Sequence, residues 1–120
     1  MQKKTLVLGA SPKPERYSYK AIQMLQEYHH PVVAVGFREA QIGSIPIHKG
    51  EPYFEGVDTV TLYLGPQNQK NIYNYILKIH PKRIIFNPGA ENSELMNLAK
   101  EKGIEVEVAC TLVLLSTNQY

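Results

Sequence analysis

Cys110 is the only cysteine in the chain, so a disulfide within the chain is excluded and a reducing compartment is expected. Clustered charge is equally scarce. The net charge is +2 and no run of Lys or Arg exceeds Lys3-Lys4, which argues against a nucleic-acid-binding face. No apolar stretch has the length of a membrane span or the pattern of a signal peptide, because the run after Lys4 is soon stopped by Pro12 and Pro14. A cytoplasmic location is the expectation, with neither nucleic acid nor membrane as a partner. Histidine and cysteine nowhere adopt metal-ligand spacing, so no metal site is expected. The G-x-x-x-x-G-K-[ST] loop is missing, and only Gly9 remains of a G-x-G-x-x-G fingerprint.

With 120 residues, 43% apolar and 20% charged, the chain can form one folded domain, residues 1–120, around a real core. Strand and helix patterns alternate along it. Thr5 to Gly9 reads as a strand, Ser18 to about Tyr28 as a helix, and the continuous apolar run Val32–Val35 as a strand buried on both faces. Residues 36–57, punctuated by glycine and proline, read mostly as loop, with Ile45-Pro-Ile47 a short edge strand. Then come strand Thr59–Leu64, helix Gln67 to about His80, and strand Ile84–Phe86. A helix capped by Asn92 and closed at Gly103 follows, then strand Ile104–Val108 and a tail packed by Thr111–Leu115. This order predicts a single-domain α/β fold, a Rossmann-like doubly wound parallel sheet with helices on both faces.

Ligands in such sheets bind outside the carboxyl ends of the strands, where the strand order reverses. The turn at residues 9–19, Arg38, the Tyr63–Gln67 turn and the Asn87–Asn92 turn are expected to meet there. Small residues leading into a helix N-terminus suit a phosphate group, and Lys13 and Arg16 lie in the same loop. The second strand ends Gly36-Phe37-Arg38-Glu39, and Arg38 is the residue type that accepts a phosphate on an adenosine ribose. NADP and coenzyme A both carry one. Each feature also has a purely structural reading. Ser11 and Ser18 suit turns and caps, Lys13 and Arg16 suit a solvated loop, and Arg38 could pair with Glu39 or Glu55. Tyr63 could belong to the core, and Cys110 could be a small buried hydrophobe.

The stretch Leu8-Gly-Ala-Ser-Pro-Lys-Pro-Glu-Arg-Tyr-Ser-Tyr19 follows a G-x-S-x-x-x-x-R-x-S pattern. With Arg38, Asn87-Pro-Gly-Ala-Glu-Asn92 and Ala109-Cys-Thr111, it resembles the small CoA-binding proteins related to the CoA-binding domain of the succinyl-CoA synthetase α subunit. The resemblance spans roughly residues 4 to 115. It implies coenzyme A, free or acylated, as the bound cofactor. Its residues would be Gly9, Ala10, Ser11, Lys13, Arg16, Tyr17, Ser18 and Tyr19 for the pyrophosphate, and Arg38 for the ribose phosphate. Tyr63, Gly65 and Pro66 would wall the adenine, and Asn87, Gly89, Glu91 and Asn92 would line the pantetheine path. The chain departs from the pattern at Gly36-Phe37, where relatives carry Asn-Pro, and at Gly65-Pro66-Gln67, where relatives often carry a basic residue.

No catalytic residue is assigned. His29, His30 and His80 fall at predicted helix ends and His48 in the variable loop, so none is expected at a strand's carboxyl end. A binding module is favoured over an enzyme. The alternatives are a small NADP-dependent reductase and an interaction protein with a vestigial nucleotide site. A protein partner or a homo-oligomer is compatible with each reading.

Overall fold

The computed structural model describes residues 2–120. Seven strands form one sheet: β1 (Thr5–Leu8), β2 (Val32–Val35), β3 (Ala40–Ile42), β4 (Ile45–His48), β5 (Thr59–Leu62), β6 (Arg83–Phe86) and β7 (Glu105–Val108). Their order is β3-β4-β2-β1-β5-β6-β7, and every pairing is parallel except that of β3 with β4. The helices are α1 (Tyr17–Glu27), α2 (Tyr73–Ile79), α3 (Ser93–Glu101) and α4 (Thr111–Ser116). The fold is the Rossmann-like single-domain α/β architecture that the strand–helix alternation predicts.

The central strands are apolar throughout because both their faces are covered. On β1, Leu6 and Leu8 point to one side and Val7 to the other, as the two-residue period of a strand requires. The first side packs with Leu62, Ile84 and Phe86 against Ile76 of α2 and Leu95 of α3. The second side packs with Ala34 and Ile47 against Ile22 and Leu25 of α1 and Leu115 of α4. From β1 the chain runs outward first to β2 and later, on the opposite flank, to β5. The switch point therefore lies at the carboxyl ends of β1 and β5.

Three expectations need correction. Residues 36–57 are mostly loop, as expected, but they hold a hairpin of two strands where one was expected, and β4, with Ile45-Pro-Ile47, lies inside the sheet between β2 and β3, so the edge strand is β3. The segment starting at Gln67 is not one helix. It opens with two 3₁₀ turns, Pro66–Asn68 and Lys70–Ile72, before α2 begins. The buried Gln69 side chain holds this segment in place, donating to the carbonyls of Leu64 and Ala90 at 2.8 Å each. Finally, Thr111–Ser116 forms α4, whose first N–H is capped from another element by Asn87 Oδ1 at 2.9 Å.

Candidate functional site

The loop after β1 is fastened before it reaches α1. Gly9 N–H and Ala10 N–H both donate to the Val35 carbonyl at 3.0 Å. Ser11 N–H donates to the buried Ser18 hydroxyl at 3.2 Å, and the Ser11 hydroxyl accepts from Lys13 N–H at 3.2 Å. Gly9 has φ +88°, and a β-carbon there would stand 2.8 Å from the Tyr63 carbonyl oxygen, so glycine is needed on both counts. No side chain caps α1. Its first intrahelical bond runs from Lys20 N–H to the Arg16 carbonyl, which leaves the N–H groups of Tyr17, Ser18 and Tyr19 facing outward at the positive end of the helix.

Two cavities meet at Gly9. One, of about 250 Å³, is lined by Ser11, Arg16, Tyr17, Ser18, Tyr63, Gly65 and Gly89 with their neighbours. The other, of about 220 Å³, is mostly apolar and lies between the end of β2 and α2, with Val35, Phe37, Leu64, Ile72 and Tyr75 in its wall. Gly9 and Leu64 belong to both.

Eight of the residues singled out from sequence thus share one cavity: Gly9, Ser11, Arg16, Tyr17, Ser18, Tyr63, Gly65 and Gly89. The others are placed differently. Ala10 is buried, and the Tyr19 side chain packs into the α1-side core. Lys13, Arg38 and Pro66 are exposed and line neither cavity. Asn87 is buried and fully engaged: its amide donates to Thr61 Oγ1 at 2.7 Å and to the Leu62 carbonyl at 2.8 Å, while Oδ1 caps α4. Glu91 turns back to accept from Gly89 N–H at 2.8 Å. Asn92 caps α3 and donates to Gln69 Oε1 and the Tyr73 hydroxyl. The turn after β6 therefore meets the cavity through Pro88, Gly89 and Ala90.

Tyr63 faces the α1-side cavity, not the apolar one. Its hydroxyl is buried near Thr61, Thr111 and Cys110 without a partner at bonding distance, and burial pushes its pKa well above the ordinary tyrosine value. Cys110 itself is half-buried. Among the described residues one ion pair forms, Arg83 to Glu107 at 3.2 Å, so Arg38 pairs with neither Glu39 nor Glu55.

His48 corrects the histidine reading. It is the last residue of β4, at the carboxyl edge of the sheet, where its ring packs at a tilt against Phe54, 5.7 Å between centroids. Sequence reasoning also missed Phe37, Lys49, Ile72 and Tyr75 as cavity residues. In the sequence Ile72 and Tyr75 are legible only as part of a helical apolar stripe, and nothing local separates a cavity wall from a core.

Comparison with known proteins bears on this geometry. The family model described as a CoA binding domain matches residues 3–116. The chain belongs to the CoA-binding domain family. An uncharacterized protein of known crystal structure shares 48% identity with this CoA-binding domain, over 100% of this chain and 99% of the other, at a TM-score of 0.97. A Thermus thermophilus protein is 23% identical (99% and 91% covered, TM-score 0.85), and a hypothetical protein from Pyrococcus horikoshii OT3 is 24% identical (97% and 83% covered, TM-score 0.86). These two show the fold alone. The comparison with curated proteins gave no match. Among the described residues of the CoA-binding domain no helix is long and apolar enough to cross a membrane.

Proposed function

We propose that the chain binds coenzyme A, free or acylated, across the switch point of its sheet and serves as a binding module with no reaction of its own. The meeting of a polar and an apolar cavity at Gly9 carries this reading. Neither reaches the roughly 300 Å³ of a small-molecule site, and joined they do. Adenine would enter the apolar cavity between Val35, Phe37, Leu64 and Tyr75. The diphosphate would cross Gly9 to the open N–H groups of α1, with Arg16 adding a charge-assisted bond. Pantetheine would continue past Tyr63, Gly65 and Gly89, which moves Tyr63 from the adenine end to the arm. Lys13 and Arg38, outside the cavities, would attract the polyanion at longer range.

Thermal denaturation with added ligand tests this. CoA should raise the melting temperature progressively with concentration, and NADPH should raise it little. Arg16→Ala should fold normally, because its side chain makes no hydrogen bond or ion pair among the described residues, and should weaken CoA binding by about 1.5–3 kcal/mol, the range for a hydrogen bond to a charged group. A larger shift with NADPH than with CoA would transfer the site to the reductase reading.

A further inference from the structure

We propose that Lys49, not Arg38, recognises the phosphate on the adenosine ribose, so that selection for a 3′-phosphorylated adenosine comes from the end of β4. The proposal rests on the CoA reading and deepens it. Among the described residues Lys49 is the one cation lining the apolar cavity. It directly follows β4, which pairs in parallel with β2 through Val35 and His48. Gly36 N–H also donates to the His48 carbonyl at 2.9 Å. Lys49 therefore emerges beside the end of β2, where a doubly wound sheet holds the ribose of a bound nucleotide. Its ammonium has no hydrogen-bond or ion-pair partner among the described residues, so a ligand phosphate would not have to displace one.

Arg38 is placed otherwise. After Gly36 the chain passes over the end of β4 to reach β3 on the outside of the sheet. Arg38 rides on that crossing, exposed and outside both cavities. The other charge in the apolar cavity among the described residues, Glu51, lies towards α2, where it lines a neighbouring hollow with Asn74, Tyr75 and Lys78. The Tyr75 hydroxyl, which donates to the Pro52 carbonyl at 2.6 Å, is pushed up to about 12 by burial first and by Glu51 second. The cavity thus holds its carboxylate near Tyr75 and its ammonium near the end of β2.

Calorimetric titration of CoA and dephospho-CoA against wild type, Lys49→Gln and Arg38→Gln separates the two cations. Wild type should bind CoA roughly tenfold more tightly than dephospho-CoA, the scale of one hydrogen bond to a charged group. Lys49→Gln should bind both ligands equally, at the wild-type affinity for dephospho-CoA, while Arg38→Gln keeps the tenfold ratio. Both side chains are exposed and make no hydrogen bond or ion pair among the described residues, so circular dichroism should show unchanged folds. A ratio kept by Lys49→Gln, or lost only in Arg38→Gln, would overturn the assignment while leaving the CoA site intact. A wild type that binds neither ligand would overturn the CoA reading, and this assignment with it.

Discussion

Gly36 shows how one missing atom opens the site. Its backbone angle lies outside the left-handed region, so conformational freedom is not the reason for glycine here. A β-carbon would collide with the Ala10 carbonyl oxygen, and Ala10 belongs to a loop held by two bonds to Val35. Neither side can yield freely. Gly36→Ala should therefore lower stability by about 1–3 kcal/mol, the usual cost of overpacking, and weaken CoA binding by pushing the loop toward the crevice. Urea denaturation followed by CoA titration checks both effects, and a wild-type urea midpoint would show that the loop can move aside. In the sequence Gly36 was visible only as a departure from a pattern, whereas Gly9 was legible as a turn glycine. Gln69 gave no local sign of its role. A glutamine in a helical stretch reads as solvent-facing, yet it is fully buried and ties the turn after β5 to the turn after β6.

Among the elements, α3 is legible in the sequence because its signals are local. Asn92 Oδ1 accepts from Glu94 N–H at 3.1 Å and Leu95 N–H at 3.3 Å, the geometry expected of an asparagine N-cap. The same side chain does more than its sequence position could tell. Its amide donates to Gln69 Oε1 at 2.9 Å and to the Tyr73 hydroxyl at 2.8 Å, joining α3 to the segment before α2. Asn92→Ala should cost at least the ~1 kcal/mol of a lost cap, with a further loss from the separated segments. Asn92→Ser, which restores the cap but not the amide bonds, should fall between Ala and wild type in chemical denaturation. A serine variant no better than alanine would assign the whole effect to the amide. The β3–β4 hairpin is the opposite case. Glycine and Pro46 mark residues 36–57 as mostly loop with one edge strand at Ile45–Ile47, but β2 offers β4 a parallel edge, and β3, which no local signal announces, completes the pairing from outside. That partnership depends on contacts with β2, which the composition of the hairpin does not reveal.

At the scale of the whole molecule, the edge of the sheet opposite the crevice holds a histidine that links stability to pH. His30 Nδ1 accepts from Lys3 N–H at 3.0 Å, and its ring packs on Tyr120 at 4.8 Å. Burial lowers its pKa most, followed by the nearby cations including Lys3 and Arg83, with Asp58 opposing them. Because the folded pKa lies below the ordinary value of 6.5, the unfolded chain takes up the proton more readily. The contribution of His30 is complete above 6.5 and is lost as pH falls through the lowered folded value. Stability measured from pH 8 to 5 should therefore decline on the acid side, and His30→Asn should flatten that decline. Superimposable pH profiles for the two proteins would remove His30 from the response.

The sequence by itself determined the strand–helix alternation, the fully apolar central strands, the first loop and the α3 cap. These depend on periodicity, turn residues and capping, all set within a few positions along the chain. Tertiary structure alone decided which faces and which neighbours those residues meet. It turned Tyr63 away from the apolar cavity, buried Asn87 against Thr61 and α4, carried Arg38 out over the end of β4 and brought Lys49 into the cavity wall. Each of those outcomes follows from how distant strands pair and cross, and no local run of residues records that.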